Sequence, residues 1–90
     1  MSKSNNRGSR RILEKEYGKF CMICGRRLKK KGVATFHHIR KLSDGGRTTP
    51  ENGGLVCKYC HPLIHESPES EEYYNKIIRD YKRRNRKWRG

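Results

Sequence analysis

Ninety residues with a formal net charge of +14, 31% apolar and 36% charged, make one small domain whose core is too thin to hold by burial alone. No stretch approaches the length of a membrane-spanning helix, and the beginning of the chain holds no apolar run of the secretory kind, which excludes a membrane partner and predicts a cytoplasmic protein. A charge of this sign and size draws in polyanions, so nucleic acid is the expected partner.

Residues 1–8 contain Ser, Asn, Lys, Arg and Gly without periodicity, which reads as a disordered basic arm ahead of a single domain over residues 9–81. Ser9 is positioned to cap a short helix that carries Ile12, Leu13 and Tyr17 and stops at Gly18. Residues 20–25 form a tight Cys21-x-x-Cys24 turn relieved by Gly25. Residues 33–39 have the β-branched and aromatic content of a strand. Asp44-Gly45-Gly46 and residues 50–54 mark turns along a long loop, and Leu55-Val56 makes a short returning strand. After Cys60 a brief helix carries His61, Leu63, Ile64 and His65, with Pro62 tolerated in its first turn. Ser67 then caps a second helix with Pro68 at its first position, and Tyr73, Tyr74, Ile77, Ile78 and Tyr81 form its apolar stripe. That stripe fits core packing better than a base-stacking platform. Past Tyr81 the apolar face is lost, and residues 82–90 read as a basic tail, or a helical extension lying on DNA, in which Trp88 either stacks on a base or caps the core.

Cysteines in a reducing compartment act as metal ligands rather than as disulfides. Cys21, Cys24, Cys57 and Cys60, arranged as two CxxC turns, supply four soft ligands with no open position, which is the pattern of a structural zinc site. The 32 residues between Cys24 and Cys57 are long for a zinc finger, so the metal would tie together the two ends of an inserted unit.

That unit and its flank hold all four histidines of the chain. His61 and His65 are four apart and share one helix face, whereas Cys60 and His61 are adjacent and point about 100° apart. The cysteine can therefore face one metal while the histidine faces another. Any one of these histidines is as readily a packing or surface residue; two pairs flanking one turn-rich loop are less easily explained that way.

His37-His38-Ile39, then Asn52 followed by Leu55-Val56-Cys57, then Cys60-His61 and His65, resemble the HNH endonuclease motif, in particular that of small stand-alone bacterial and phage nucleases with an embedded four-cysteine zinc. The resemblance spans residues 20–65. It implies a small α+β fold: a ββα-metal (His-Me finger) core stapled by the four-cysteine zinc site and flanked by N- and C-terminal helices. It further implies that His38 is the general base, that His37, His61 and His65 ligate one catalytic divalent cation, and that Asn52 orients the base through backbone contacts. The doubled histidine with a helical pair is similar to the nuclease domains of DNase colicins. The setting would be the cytoplasm of a bacterium or a phage-infected cell.

Three imidazoles suit Mn²⁺ or another transition metal better than Mg²⁺, a hard oxygen-seeking ion. Successive strand residues point to opposite faces, so His37 and His38 can serve one phosphate only if the strand bends or His38 reaches across from the far side. The expected DNA contacts are Arg26, Arg27, Lys29, Lys30 and Lys31 beside the first knuckle, Arg40, Lys41 and Arg47 near the histidines, and Lys82, Arg83, Arg84, Arg86 and Lys87 in the tail, gripping phosphates of double-stranded DNA without reading sequence. A single compact site predicts nicking. The competing reading is a non-catalytic zinc-stabilised nucleic-acid-binding module; a ribonuclease on the same fold ranks below both. No organic cofactor is expected.

Overall fold

The computed structural model describes residues 7–29 and 32–85. Its elements are helix α1 (Arg7–Tyr17), strand β1 (Ala34–His38), a 3-10 turn (Leu42–Asp44), strand β2 (Gly53–Cys57), helix α2 (His61–Ile64) and helix α3 (Pro68–Asn85). The fold is small α+β: an antiparallel hairpin followed by α2 gives the ββα unit, with α1 and α3 flanking it. No described helix is long and apolar enough to cross a membrane.

In the hairpin Ala34 lies opposite Cys57, Phe36 opposite Leu55, and His38 opposite Gly53. Every residue of β2 is buried, so both faces of this strand are covered. Leu13 and Tyr17, four apart on α1, supply buried side chains to the core, and Ile78 supplies one from α3; Met22, Val56 and Ile64 complete its centre. The Tyr17 and Tyr81 rings stand 6.3 Å apart, joining the outer helices across that core.

Full burial explains a departure from the sequence reading. Gly53 and Gly54 belong to β2 rather than to the preceding turn. A β-carbon on Gly53 would run into the Phe36 ring and lie 3.1 Å from the Thr49 carbonyl, and one on Gly54 would stand 2.8 Å from a methyl of Ile78. The strand needs glycine there because its neighbours occupy the space of the side chains.

The helix boundaries also differ from expectation. Helix α1 begins at Arg7, inside the segment read as a disordered arm, so Ser9 is not its cap. The Ser9 hydroxyl instead donates to the Thr48 carbonyl at 3.1 Å, docking α1 on the loop before β2. Gly18, with φ of +85°, ends the helix and donates its amide to the Glu14 carbonyl at 2.8 Å. The rest of the arm, residues 1–6, lies outside the described residues.

Ser67 does cap α3, accepting the Ser70 amide at 3.1 Å. Glu69 and Glu71 in the first turn and Lys82, Arg83 and Arg84 in the last suit the helix dipole. The stripe packs as expected at Tyr74, Ile78 and Tyr81 but not throughout: Tyr73 is 62% exposed, and Asn75, not among those expected, is buried. The helix also outlasts its apolar face because Lys82 has a structural task. Its ammonium donates to the carbonyls of Pro50, Glu51 and Gly53 at 2.8, 3.1 and 2.6 Å. The charge of Lys82, expected to grip phosphate, is held by the loop that enters β2. Trp88 lies outside the described residues.

Gly53→Ala should destabilise the zinc-loaded protein by about 1–3 kcal/mol through overpacking against Phe36, read as a lower midpoint of denaturant unfolding.

Candidate functional site

Two clusters of metal-ligating side chains stand on the ββα unit. In the first, the sulfurs of Cys21, Cys24, Cys57 and Cys60 lie within 4.8 Å of one another, and none is in a disulfide. The Cys24 and Cys57 sulfurs are 3.8 Å apart, close to the spacing of about 3.8 Å that tetrahedral thiolates at about 2.3 Å from zinc would have. The first knuckle is built by its backbone: the amides of Ile23 and Cys24 point at the Cys21 sulfur, each at 3.4 Å. Gly25, at φ of +81°, turns the chain so that the Cys21 amide meets the Arg26 carbonyl at 2.8 Å.

Burial pushes the Cys21 thiol up, and burial together with the neighbouring sulfurs does the same to Cys60. Burial also acts upward on Cys24, but the Arg26 amide and the adjacent thiols outweigh it and bring that group down to about 7. Four sulfurs this close cannot all ionise unless a cation sits among them. The donor set therefore fits a metal ion and matches the preferences of zinc.

In the second cluster His37, His61 and His65 each offer a ring nitrogen within 4.8 Å of the others. Ring centroids are separated by 5.4 Å from His37 to either partner and by 5.2 Å between His61 and His65. His61 opens α2 and His65 follows its last residue, so the four-residue spacing brings both to one side of a single turn. Burial lowers His37, against the opposing pull of its bond to Asn75. Burial, with repulsion from His37 and His65, pushes His61 down to about 4. Both rings are thus neutral near pH 7 and hold lone pairs for a cation, which is the state a ligand needs.

His38 lies at the end of β1 with its ring edge-on to Phe36, centroids 4.9 Å apart. Its Nε2 is 2.9 Å from the Thr48 hydroxyl, and burial lowers its pKa. A cavity of about 220 Å³ is lined by Phe36, His37, His38, Lys41, Leu42, His61 and His65. The pleat thus does not keep the two adjacent histidines apart, because at the last residue of the strand both reach one space.

Among the described residues Asn52 makes no hydrogen bond to a histidine ring. Its Oδ1 accepts the Arg40 amide at 2.8 Å, and its Nδ2 donates to the carbonyls of Arg40 and Arg47 at 3.0 and 2.8 Å. Its own carbonyl accepts the Ile39 amide at 2.8 Å. One side chain thereby satisfies backbone groups on both limbs of the loop that leaves His38 and returns at Thr48.

The basic residues sort by position. Lys41 lines the cavity and lies 3.4 Å from a Glu71 oxygen. Arg40 donates Nε to the Asp44 carbonyl at 2.8 Å, and Arg47 is exposed on the same loop. Arg26 sits over the Tyr59 ring at 4.9 Å and Arg27 over Phe20 at 6.0 Å, at the sulfur end of the molecule; Lys29 is exposed nearby. Arg83 pairs with Asp80 at 2.8 Å and Arg84 donates to the Asp80 carbonyl at 3.4 Å. Lys30, Lys31, Arg86 and Lys87 lie outside the described residues. Three polar residues at the site were not among those expected: Thr48 on His38, Asn75 on His37 and Glu71 beside His65.

The family model for HNH endonucleases matches residues 21–67, just over half of the chain, and includes both sulfur pairs, the hairpin and all four histidines. No curated protein matches the chain significantly. With the ββα unit, the sulfur cluster and the histidine cluster in the positions described, the chain belongs to the HNH endonuclease family.

Proposed function

We propose that the protein is a metal-dependent endonuclease that hydrolyses phosphodiester bonds of double-stranded DNA, one strand at a time. In this reading His38 is the general base, His37, His61 and His65 hold a divalent cation, and zinc occupies the four-cysteine site. The observation that carries it is the shared cavity: His38 and all three histidines of the cluster line one space. A binding module has no use for a fourth imidazole beside a three-imidazole cluster.

The reaction needs a deprotonated water, stabilisation of charge on the phosphorus centre and help for the departing 3′ oxygen. His38, neutral at working pH, takes the proton from water. The Thr48 hydroxyl both donates and accepts, so it holds Nε2 of that ring in either tautomer. A divalent cation bound at the histidine cluster supplies Lewis-acid stabilisation of the phosphate and leaving oxygens. Lys41 at the cavity and Arg40 and Arg47 on the adjoining loop offer positive charge to the scissile strand, and Asn52 keeps that loop in shape. The exposed cations at the sulfur end and on α3 hold flanking phosphates, a mode that positions DNA without reading its sequence. Thiolates kept for metal suit a reducing cytoplasm, bacterial or phage-infected.

Purified protein should convert supercoiled plasmid to open circles with Mn²⁺ or Ni²⁺, weakly with Mg²⁺ and not in EDTA. His38→Ala should lower the rate at least about 100-fold while DNA retention in a shift assay is unchanged. Retention without cleavage under every metal would leave a zinc-stabilised binding module instead.

Metal analysis after dialysis should find one tightly held zinc per chain. Cys57→Ser should lose that zinc and the cooperative thermal transition with it, because a structural zinc contributes on the order of 10 kcal/mol, as much as a small domain's whole stability.

A further inference from the structure

The family match ends at residue 67, yet the next helix reaches back into the histidine cluster. We propose that Glu71 and Asn75 of α3 are positioning residues that engage the outer nitrogens of His65 and His37, and thereby fix which nitrogen each ring presents to the cation. This rests on the reading of His37, His61 and His65 as cation ligands.

The hydrogen bonds of Asn75 have only one consistent direction. Its Nδ2 lies 3.1 Å from the Ile39 carbonyl and its Oδ1 lies 2.7 Å from His37 Nε2. A backbone carbonyl can only accept, so the amide nitrogen must face Ile39 and the amide oxygen must face the histidine. That oxygen can only accept in turn, so Nε2 of His37 carries the hydrogen. The lone pair of the neutral ring is then on Nδ1. His37 is 1% exposed and Asn75 is 7% exposed, so water does not compete for either partner, and an unmet polar group there would be costly.

Glu71 stands one turn earlier, on the same face of α3. Its Oε2 is buried and has no hydrogen-bond partner among the described residues, and that oxygen is 3.9 Å from His65 Nδ1. Its other oxygen faces Lys41 at 3.4 Å. A shift of roughly 1 Å brings the carboxylate into hydrogen-bond range of the ring. As an acceptor it favours hydrogen on Nδ1 of His65, which puts that ring's lone pair on Nε2. The helix thus sets opposite tautomers on two ligands. Partners of this kind orient a ligating ring, and a carboxylate also makes it a stronger donor.

The test uses the full, zinc-loaded chain and needs no DNA. Long-range ¹H–¹⁵N spectra of the imidazoles, recorded with the histidine site free of added metal, should show His37 as the Nε2–H tautomer. Calorimetric titration with Ni²⁺ should give about 10-fold to 100-fold weaker binding for Asn75→Leu and for Glu71→Ala, with His61→Ala marking loss of the site. A role in folding alone would lower the melting temperature of these variants and leave Ni²⁺ affinity of the folded protein within twofold of wild type. That result, or a His37 ring carrying its hydrogen on Nδ1, would overturn the proposal. The spectrum of the unaltered protein decides the tautomer even where a variant fails to fold. Cleavage that depends on His38 beside unchanged Ni²⁺ affinity would remove the positioning role and spare the nuclease. Weakened Ni²⁺ binding in a protein that never cuts DNA would do the reverse.

Discussion

The convergence of four sulfurs within 4.8 Å is the constraint on which the rest of this small molecule depends. Cys57 is the last residue of β2 and Cys60 is the cap of α2, so the second knuckle sets both where the hairpin ends and where the helix begins. The next residue is His61. A member of the histidine cluster is therefore one peptide bond from a member of the sulfur cluster, and its direction is fixed by the geometry of the knuckle. Burial raises the Cys21 and Cys60 thiols, with the neighbouring sulfurs adding to the rise at Cys60, so without a cation these two sulfurs keep their protons. A cation held there would displace those protons and crosslink positions far apart in sequence, which a core this thin needs.

Around this staple the chain uses polar groups to hold the loop between the strands. Asn52 binds both limbs from inside, Lys82 clamps its exit from α3, and Ser9 ties it to α1. No single one of these bonds is large, each being on the order of 1 kcal/mol net. Together they anchor a segment that has little apolar side chain to bury. The loop matters because it carries Thr48, which touches His38, and ends in Gly53, which pairs with His38 across the sheet. Residue 38 is thus fixed from two directions, by Thr48 on the loop and by Gly53 at the start of β2.

What could be read from the sequence follows from the range of the interactions. The CxxC turns, the histidine pair four apart, and Ser67-Pro68 at a helix start are local patterns with local physics, and each forms the local geometry its spacing implies. The glycines of β2 mislead because glycine marks a turn and also a place where a neighbour fills the side-chain position; only the packing of Phe36 and Ile78 decides between them. Asn75 is silent in the sequence for a related reason. A polar residue on a helix reads as solvent-facing, and its burial is made favourable by His37 and Ile39, 38 and 36 positions earlier. Lys82 is legible as a charge, but not as one whose acceptors lie some thirty residues away.

The two clusters also differ in electrostatic character. Four thiolates around a Zn²⁺ ion would leave that end of the site doubly negative, which the Arg26 and Lys58 cations beside Tyr59 would partly offset. Imidazole ligands add no negative charge, so a divalent cation held by the histidine cluster would keep its full charge. A phosphate approaching a chain of net charge +14 would therefore be drawn to the histidine end, and Lys41 stands at the mouth of that cavity. Its ammonium is held by Glu71, so an arriving phosphate competes with a carboxylate already in place. The same carboxylate faces His65. Drawing Lys41 toward substrate would leave Glu71 to the histidine, so phosphate binding and firmer orientation of a metal ligand would favour one another through a single side chain.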